Sequence, residues 1–319
     1  MAITVIGSVA LDTVETPFGP VTDALGGATS YFALAASRYA PVNIVGVVGD
    51  DFPDEYRQTL SARHINLDGL RVEPGKTFRW GGRYHLDMNS RDTLFTELGV
   101  FADFKPSVPA SYAGADIVFL ANIQPDLQLD VLRQTGAAVK LRALDTMNLW
   151  ISTAKDALTE VMRQVDVVLI AEEEVRQYAE VASLREGVRK ILALGPQRLV
   201  VKQGSYGALL FDREGGFFAM PAYPLDEVRD PTGAGDSFAG GFLGYLAARL
   251  ADGAPLTPGD YRRALAHGNI MGSYACEDFS VRRLLSLEPD EVARRYQEFV
   301  GFTHFEGTWH GGEAAGTVG

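Results

Sequence analysis

The residues with the clearest chemical meaning stand together in the last third of the sequence. In the stretch DPTGAGDSF, residues 230–238, Gly233 and Gly235 flank Ala234, and Asp236 follows directly. Small residues let successive backbone N–H groups point into one concavity. The N-terminus of a following helix adds unpaired donors and a positive dipole end. We therefore predict an anion-binding site at Gly233, Ala234 and Gly235.

Asp236 stands where a helix begins, although an acid would repel a phosphate if binding were its only task. A carboxylate beside an anion site can take the proton from an attacking hydroxyl while the amides stabilise a transferring phosphoryl group. The alternative is a helix N-cap. Loss of a cap costs about 1 kcal/mol, whereas loss of a base lowers a rate by roughly 10²–10⁴-fold. The local sequence leaves both roles open.

An apolar helix is predicted directly after this loop. Phe238, Phe242, Leu246 and Leu250 recur every four residues, and Gly253 can end the helix. The loop is not a Walker A motif, because no Gly-Lys-Ser/Thr follows it. A dinucleotide-binding fingerprint would follow the first strand instead. Phosphoryl transfer to an alcohol fits the residues better than either.

Short apolar runs alternate with helical patterns along the rest of the chain. Continuous apolar strands separated by helices predict an α/β fold with a mostly parallel sheet covered on both faces. Strands are predicted over residues 3–10, 42–49, 115–122, 139–147, 165–171 and 197–204. Helices are predicted over residues 28–40, 51–64, 125–135, 153–164, 172–194 and 262–279.

Two stretches, residues 12–27 and 71–98, lack this alternation and carry the turn signals Pro-Phe-Gly and Glu-Pro-Gly. Neither can form a core of its own. The second contains several aromatic residues, which need a surface to cover: Phe78, Trp80, Tyr84 and Phe95. We expect the two stretches to form a small β-lid over one edge of the sheet, with ordinary surface hairpins as the alternative.

Composition limits the classes of function. The 319 residues are 46% hydrophobic and 22% charged, which is ordinary for a globular protein with a sizeable core. A net charge of -12 argues against nonspecific binding to nucleic acid or anionic membranes. The single cysteine, Cys276, excludes an intramolecular disulfide and fits a reducing compartment. No apolar run reaches the roughly 18–20 residues of a membrane span, and the start lacks a secretion signal.

We therefore expect a cytoplasmic protein with a small-molecule substrate and no nucleic-acid or membrane partner. The five histidines are scattered and have no metal-binding spacing. There is no internal repeat and no clear linker, so residues 1–305 are expected to be one domain. The Gly- and Ala-rich residues 306–319 are expected to be a flexible tail.

Five segments, in this order, resemble the ribokinase/PfkB family of small-molecule kinases. They are VIGSVALD (residues 5–12), LGGATSYFALAASR (25–38), VGVVGDDF (45–52), VVKQGSYGALL (200–210) and DPTGAGDSFAGGF (230–242). The resemblance extends over roughly residues 3–300. It implies a ribokinase-like three-layer α/β/α sandwich with a mostly parallel sheet and a small β-lid. It also implies that lid edges can pair into a homodimer.

The resemblance implies that Asp12, Gly26 and Gly27 contact a hydroxylated acceptor. The residue types agree, because a carboxylate can accept two sugar hydroxyls and paired glycines let a backbone approach a ligand closely. A turn-opening aspartate and a simple turn before a helix are the alternatives. Tyr31 departs from the family, which has an asparagine at this position to bind the sugar. A tyrosine can donate a hydrogen bond or stack on a ring.

The resemblance also implies a nucleotide site and, with the general base Asp236 and the anion hole, the chemistry of an ATP-dependent kinase. The residues placed near the nucleotide are Lys202, Gly204, Gly207 and Asn269. Asp230 and Thr232 match positions that hold a monovalent cation in potassium-stimulated relatives. The cofactors implied are therefore ATP, Mg²⁺ and possible K⁺.

The family has an Asn-x-x-Glu motif that influences magnesium and phosphate binding, and this sequence keeps only its acid. The sequence LIAEEEV has Ala171 in place of the asparagine, whereas Glu174 keeps the acid. Magnesium bound through water tolerates such a loss, since it retains several waters. The alternative is an acidic first helical turn that is favourable to the dipole. We expect Glu172 and Glu173 to be solvated.

The sequence leaves the roles of several further side chains open. Asp145 and Asn148 fall at a strand end and can line a cleft, or they can simply end the strand. The second lid stretch offers Arg79, Arg83 and Arg91, and one or two arginines from a lid would help to neutralise a transferring phosphate.

The resulting hypothesis is a kinase that moves the γ-phosphoryl group of ATP to a hydroxyl of a small sugar or polyol, inositol-like acceptors included. A nucleoside acceptor is the alternative, because an aromatic lid and Tyr31 would suit stacking on a base. A third hypothesis is a relative that binds a sugar or nucleotide without turnover. The intact Gly-Ala-Gly-Asp stretch argues against it, since binding alone needs no base.

Overall fold

The computed structural model describes residues 2–136 and 138–304, so the expected tail lies outside the described residues. The strands, in chain order, are β1 (Ile3–Ile6), β2 (Ala10–Thr16), β3 (Gly19–Gly26), β4 (Val42–Gly49), β5 (Ile65–Glu73), β6 (Arg79–Tyr84), β7 (Arg91–Glu97), β8 (Ile117–Leu120), β9 (Leu141–Asp145), β10 (Val167–Ala171), β11 (Arg198–Lys202), β12 (Ala208–Asp212) and β13 (Phe217–Met220).

The main sheet has the order β13-β12-β11-β10-β9-β8-β1-β4-β5. The strands from β11 to β5 in this order are parallel, and the β12–β13 hairpin adds an antiparallel edge. Alternate residues of a strand enter opposite cores. In β10, Val167 and Leu169 face one helix layer, while Val168 and Ile170 face the other. Burial on both faces explains why the strands are continuously apolar.

Helices cover both faces of this sheet. In chain order they are α1 (Ala28–Ala36), α2 (Asp54–Ser61), α3 (Pro125–Gln134), α4 (Asn148–Thr153), α5 (Lys155–Met162), α6 (Glu172–Ala179), α7 (Leu184–Leu192), α8 (Ala234–Ala251), α9 (Pro258–Ala275), α10 (Arg282–Ser286) and α11 (Pro289–Thr303). Helices α1, α2, α8, α9 and α10 lie on one face, and α3 to α7 lie on the other. The expected three-layer α/β/α fold is confirmed.

Helix α8 is held close to its two neighbours by glycines. A Cβ on Gly240 would lie 2.5 Å from the carbonyl oxygen of Phe32 in α1. A Cβ on Gly241 would lie 2.4 Å from the carbonyl oxygen of His267 in α9. Glycine at these positions lets the three backbones approach closely. The helix ends at Ala251, and Gly253, which follows the C-cap Asp252, has a φ of 79°, in agreement with a helix end at this point.

The two expected lid stretches pair with each other in a second sheet of order β3-β2-β6-β7. β2 and β6 are parallel, and the other two pairings are antiparallel. The second stretch enters this sheet only at Arg79. Its first residues, Arg71–Glu73, instead end β5 in the main sheet, where they pair with β4.

The helix predicted over residues 172–194 is wrong as a single element, because the structure has α6 and α7 there. Glu180 takes a left-handed conformation with φ 55° and ends α6. Ser183 then caps α7, since its side chain accepts a hydrogen bond from the N–H of Glu186 at 3.4 Å. No helix within the described ranges is both long and apolar enough to cross a membrane.

Candidate active site

The start of α8 forms the expected cluster of backbone donors. Gly233 is the N-cap residue with a left-handed φ of 73°, and Ala234 begins the helix. In the described part of the chain, the amides of Gly233 and Gly235 have no hydrogen-bond partner. The amide of Ala234 donates to the carbonyl of Pro231 at 3.2 Å. Two free amides at a helix N-terminus can bind an anion.

Asp236 is not the cap of this helix. Gly233 occupies the N-cap position, and Asp236 is the third residue of α8. Burial raises the pKa of Asp236 to about 7, the charge of Asp145 adds to this rise, and Lys202 opposes it. The carboxyl therefore titrates near neutral pH, where it can exchange a proton with a neighbouring hydroxyl.

Lys202 and Asp145 form an ion pair at the edge of the sheet where parallel strands end. The Nζ atom of Lys202 lies 2.6 Å from Oδ2 of Asp145, at the ends of β11 and β9. The other carboxylate oxygen accepts a hydrogen bond from the N–H of Thr146 at 2.8 Å. The sequence left Asp145 open between a cleft residue and a strand end, and the structure places it directly beside the start of α8 through Lys202.

A cavity of about 640 Å³ lies on one side of the α8 N-terminus. It has the size of a small-molecule site. The residues expected near a nucleotide all line it, as do Ala234 and Gly235 of the anion site: Lys202, Gly204, Gly207 and Asn269. Asp87, Met88 and Asn89 of the turn between β6 and β7 line it too, so the lid reaches the same cavity.

Asp12 lies in the lid sheet and is not among the residues that line this cavity. Its position differs from the expected end of the first strand, because β1 ends at Ile6 and Asp12 is the third residue of β2. Its Oδ2 atom accepts a hydrogen bond from the N–H of Gly27 at 3.4 Å. A Cβ on Gly26 would lie 2.0 Å from the same oxygen, so a larger residue there would displace the Asp12 carboxylate. Burial raises the pKa of Asp12 to about 7.

Tyr31 does not have a ring face free for stacking on a ligand. A Cβ on Gly233 would lie 2.3 Å from the Cγ of Tyr31, so the ring packs directly against the N-cap of α8. The Tyr31 hydroxyl is buried and, among the described residues, has no hydrogen-bond partner. Burial raises the pKa of this hydroxyl well above its usual value, and the charges of Asp230 and Asp12 add to the rise. It remains a protonated donor.

Tyr31 therefore offers a test that separates ring from hydroxyl. We expect Tyr31→Phe to raise the KM for the acceptor about 5–150-fold with little change in kcat, because the hydroxyl of an acceptor would lose one partner worth roughly 1–3 kcal/mol. Tyr31→Ala should also lower kcat, because the Gly233 backbone loses its support. Steady-state kinetics with a varied acceptor measures both effects. Equal KM values for Tyr31→Phe and wild type would contradict a role for the hydroxyl.

Glu174 lies beside the anion site, and its side chain also caps the first turn of helix α6. One of its carboxylate oxygens accepts a hydrogen bond from the N–H of Ala171 at 2.9 Å. Burial raises the pKa of Glu174 to about 7, and Lys202 opposes the rise. Glu172 is half-buried rather than solvated, since it bonds Arg176 and Gln203, whereas Glu173 is exposed as expected.

Asp230 is fixed by one backbone donor from its own loop and one from a distant segment. Its two carboxylate oxygens accept hydrogen bonds from the N–H groups of Thr232, at 2.9 Å, and Ser280, at 3.0 Å. The Thr232 hydroxyl donates to the hydroxyl of Tyr84 at 3.3 Å. Sequence reasoning missed Ser280, and no local signal marks it, because it lies 50 residues after Asp230.

The lid arginines have different partners. Arg79 pairs with Asp51 at 2.8 Å, and Arg83 pairs with Glu15 at 2.6 Å. Arg91 lies over the ring of Trp80, 5.8 Å from its centroid, and its charge acts on Asp236. Of these three arginines, Arg91 is the one that faces the site.

Comparison with known proteins identifies this arrangement. Residues 3–286 match the family model described as pfkB family carbohydrate kinase. The chain belongs to this family. The cytidine kinase of Thermococcus kodakarensis is 33% identical over 253 residues, which cover 77% of this chain and 89% of that protein.

The fold is likewise similar to solved structures. The nucleoside kinase of Methanocaldococcus jannaschii, described as an archaeal member of the ribokinase family, superposes with a TM-score of 0.76 at 21% identity. The match covers 93% of this chain and 98% of that one. A putative ribokinase II from E. coli in complex with ATP and Mg²⁺ has a TM-score of 0.76 at 20% identity, with 93% and 99% covered. This pfkB-family chain is a phosphotransferase with an alcohol group as acceptor, as the sequence predicted.

Among the residues that the structure describes, no three His, Cys, Asp or Glu side chains are grouped to hold a metal ion. The site nevertheless fits magnesium held partly by water. Glu174 is a carboxylate withdrawn from water beside the cavity, and hard cations such as Mg²⁺ take oxygen ligands and keep several waters.

Proposed function

We propose that this protein transfers the γ-phosphoryl group of ATP to a hydroxyl of a nucleoside, with Asp236 as general base. The observation that carries the proposal is that Asp236 directly follows a loop that meets Tyr31 at Gly233 and Lys202 at Gly235. Its charge acts on Asp12 on the acceptor side and on Lys202 at the 640 Å³ cavity. A residue shared by both sides can receive a proton from the acceptor while the phosphoryl group lies over the amides of α8.

The inner surface of the lid favours a nucleoside. Trp80 is paired with Asp12 in the register of β2 and β6, so both side chains are on the same face of the lid sheet. A Cβ on Gly82 would lie 2.2 Å from the Trp80 ring, so the indole packs against Gly82 on this face. Arg91 lies over this ring, 5.8 Å from its centroid, so a base would take the place of Arg91 and stack on the indole while the carboxylate of Asp12 accepts ribose hydroxyls. The likeness to a cytidine kinase supports the same choice.

A small sugar or polyol, the acceptor that the sequence favoured, is the second candidate, and the buried Asp12 favours it. A carboxylate that accepts two hydroxyls would bind a sugar as well as a ribose. The difference between the candidates lies in whether Trp80 contributes binding energy.

The proposed reaction needs little covalent chemistry from the protein. The acceptor oxygen forms a bond to the γ-phosphorus, the bond from this phosphorus to the β,γ-bridging oxygen breaks, and ADP leaves. The proton of the acceptor hydroxyl passes to the carboxylate of Asp236. The amides of Gly233 and Gly235 donate to the phosphoryl oxygens. Closure of the lid over the acceptor would exclude water and suppress hydrolysis.

Two cations complete the proposal. Glu174 would hold Mg²⁺ through water, and the ion supplies charge neutralisation on the phosphate oxygens. Asp230 and Thr232 would bind K⁺ near the loop that precedes α8. Burial raises the pKa of Asp230 above its usual value, so a nearby cation would favour its charged form.

A panel of acceptors tests the proposal. ADP formation is measured with nucleosides, small sugars and myo-inositol, in the presence of Mg²⁺ and either K⁺ or Na⁺. We expect a nucleoside to raise ADP formation above the background hydrolysis of ATP and to yield a nucleoside monophosphate by mass spectrometry. Turnover of sugars alone would make the second candidate correct. Binding of ligands without any turnover would favour the third hypothesis, a non-catalytic relative.

Trp80→Ala with Trp80→Phe as its matched control tests the stacking surface. Stacking of a base on an aromatic ring is worth roughly 1–3 kcal/mol by alanine substitution. We therefore expect Trp80→Ala to raise the KM for the nucleoside about 5–150-fold, while Trp80→Phe stays near wild type. An unchanged KM in Trp80→Ala would mean that the base does not stack there.

A further inference from the structure

The ion pair between Lys202 and Asp145 is more than a stabilising contact. The Asp145 side chain is 4% exposed, and that of Lys202 is 20% exposed. Burying both charges removes them from water, and such pairs often give no net stability compared with apolar residues. Lys202 lines the cavity, so the pair calls for another reason.

Lys202 stands where the charge of a transferring phosphoryl group would develop. A Cβ on Gly235 would lie 3.5 Å from the Nζ atom of Lys202. The amide of Gly235 is one of the two free donors of the anion site. An anion on this amide is therefore within reach of the ammonium group, which binds phosphate as a compact point charge.

The strand register places Lys202 opposite the departure from the family pattern. Ala171 of β10 is the direct partner of Lys202 in β11. Ala171 stands where the resembling family has an asparagine, so a donor is missing at this point. Lys202, at the end of the neighbouring strand, lies beside the small side chain of Ala171 and places a positive charge at the cavity.

We infer that Lys202 is a catalytic residue that contacts the phosphoryl group during transfer, and that Asp145 is a positioning residue that aims its ammonium group at the anion site. This inference rests on the proposed kinase function. The acceptor oxygen still attacks phosphorus, its proton still goes to Asp236, and ADP still leaves. Lys202 stays protonated throughout and neutralises charge on the phosphoryl oxygens. The ion pair with Asp145 holds the Lys202 side chain in this position before the nucleotide binds.

The charged groups around Lys202 come from several elements. Asp145 is in β9, Glu174 is in α6, and Asp236 is in α8, and all three raise its pKa. Burial by itself lowers that pKa, but the acids outweigh it, so the pKa lies above its usual value. Around Asp236 the other charges are Arg91 of the lid and Asp12 of β2.

Nucleotide binding tests Lys202 without any turnover. We expect Lys202→Met to weaken binding of a non-hydrolysable ATP analogue at least about 10-fold, while adenosine, which has no phosphates, binds as to wild type; calorimetry measures both. Equal losses for the analogue and adenosine would mean a collapsed cavity and would overturn the inference. A wild type that binds the analogue but turns over no acceptor would contradict the proposed function alone.

Turnover separates a catalytic lysine from one that merely neutralises Asp145. We expect Lys202→Met to lower kcat roughly 10²–10³-fold, as for loss of one transition-state donor. The double variant Asp145→Asn/Lys202→Met removes both charges and should regain the melting temperature but not kcat. Recovery of kcat in the double variant would show that Lys202 serves only Asp145, and the inference would be wrong.

The pH profile of kcat tests the positioning residue. Asp145→Asn removes a negative charge that raises the pKa of Asp236, so the acidic limb should shift to lower pH. Lys202→Met removes a positive charge that lowers it, so the limb should shift to higher pH. Opposite shifts are the expected signature. Profiles that coincide with wild type in both variants would overturn the assignment.

Discussion

Asp236→Asn is expected to lower kcat roughly 10²–10⁴-fold while the KM for ATP changes little. The asparagine keeps the size of the side chain but cannot accept the proton of the acceptor hydroxyl. The amides of Gly233 and Gly235 remain in place, so nucleotide binding should survive. Steady-state kinetics with a saturating acceptor measures the effect. Full activity in this variant would show that another group is the base.

The pH dependence of the wild type should report the same group. Burial raises the pKa of Asp236 to about 7, and a base must be ionised, so kcat should fall as the pH decreases below about 7. Asp12 and Glu174 also have pKa values raised to about 7, so the limb alone does not identify the residue. The pH profile of the residual activity of Asp236→Asn supplies the control. This profile should lack the acidic limb that arises from ionisation of Asp236.

Stability distinguishes a missing base from a damaged fold. The folded state binds the proton of Asp236 more tightly than the unfolded chain does, because its pKa is raised on folding. Ionisation of this carboxyl therefore reduces the free energy of unfolding progressively as the pH rises from about 4 through 7. At pH 8, Asp236→Asn should melt at the same temperature as wild type or higher. An inactive variant that melts earlier would point to a structural role.

The local parts of the site could be predicted from the sequence. Gly233, Gly235 and Asp236 stand within four residues, and the apolar spacing after them marks a helix, so its start and the anion site follow. The strand over residues 42–49 has the expected bounds because it is buried on both faces and reads as one apolar run. β5 was missed since several of its side chains are exposed and no clear alternation results.

The long-range parts of the site could not be predicted in this way. Lys202 and Asp145 are 57 residues apart, and the pattern around each gives only a strand end. Which strand ends become neighbours depends on the order of the sheet, which the spacing of apolar residues does not contain. The same reason applies to Tyr31, whose ring meets Gly233 because α1 packs on α8. The sequence suggested that the Tyr31 ring could stack on a ligand, whereas in the structure the ring packs against the loop at Gly233.

Gly233→Ala should lower kcat roughly 10²–10³-fold, because it moves a donor of the anion site. Gly233 has a φ of 73°, a left-handed conformation that costs an alanine roughly 1–2 kcal/mol. The added Cβ would also lie 2.3 Å from the Cγ of Tyr31, where it has no room. The backbone must shift, and the amides at the start of α8 shift with it. Kinetics and thermal unfolding of the variant measure the two consequences.

Gly253→Ala is the matched control, because it lies at the other end of the same helix. Gly253 has a φ of 79°, but an added Cβ would meet no atom within 4 Å. It imposes the same kind of backbone strain in open space, far along α8 from the anion site. We expect Gly253→Ala to reduce the free energy of unfolding by roughly 1–2 kcal/mol and to leave kcat unchanged. If both variants lose kcat equally, general strain in α8 explains the loss. If Gly233→Ala alone loses it, the geometry at the N-cap is what the reaction requires.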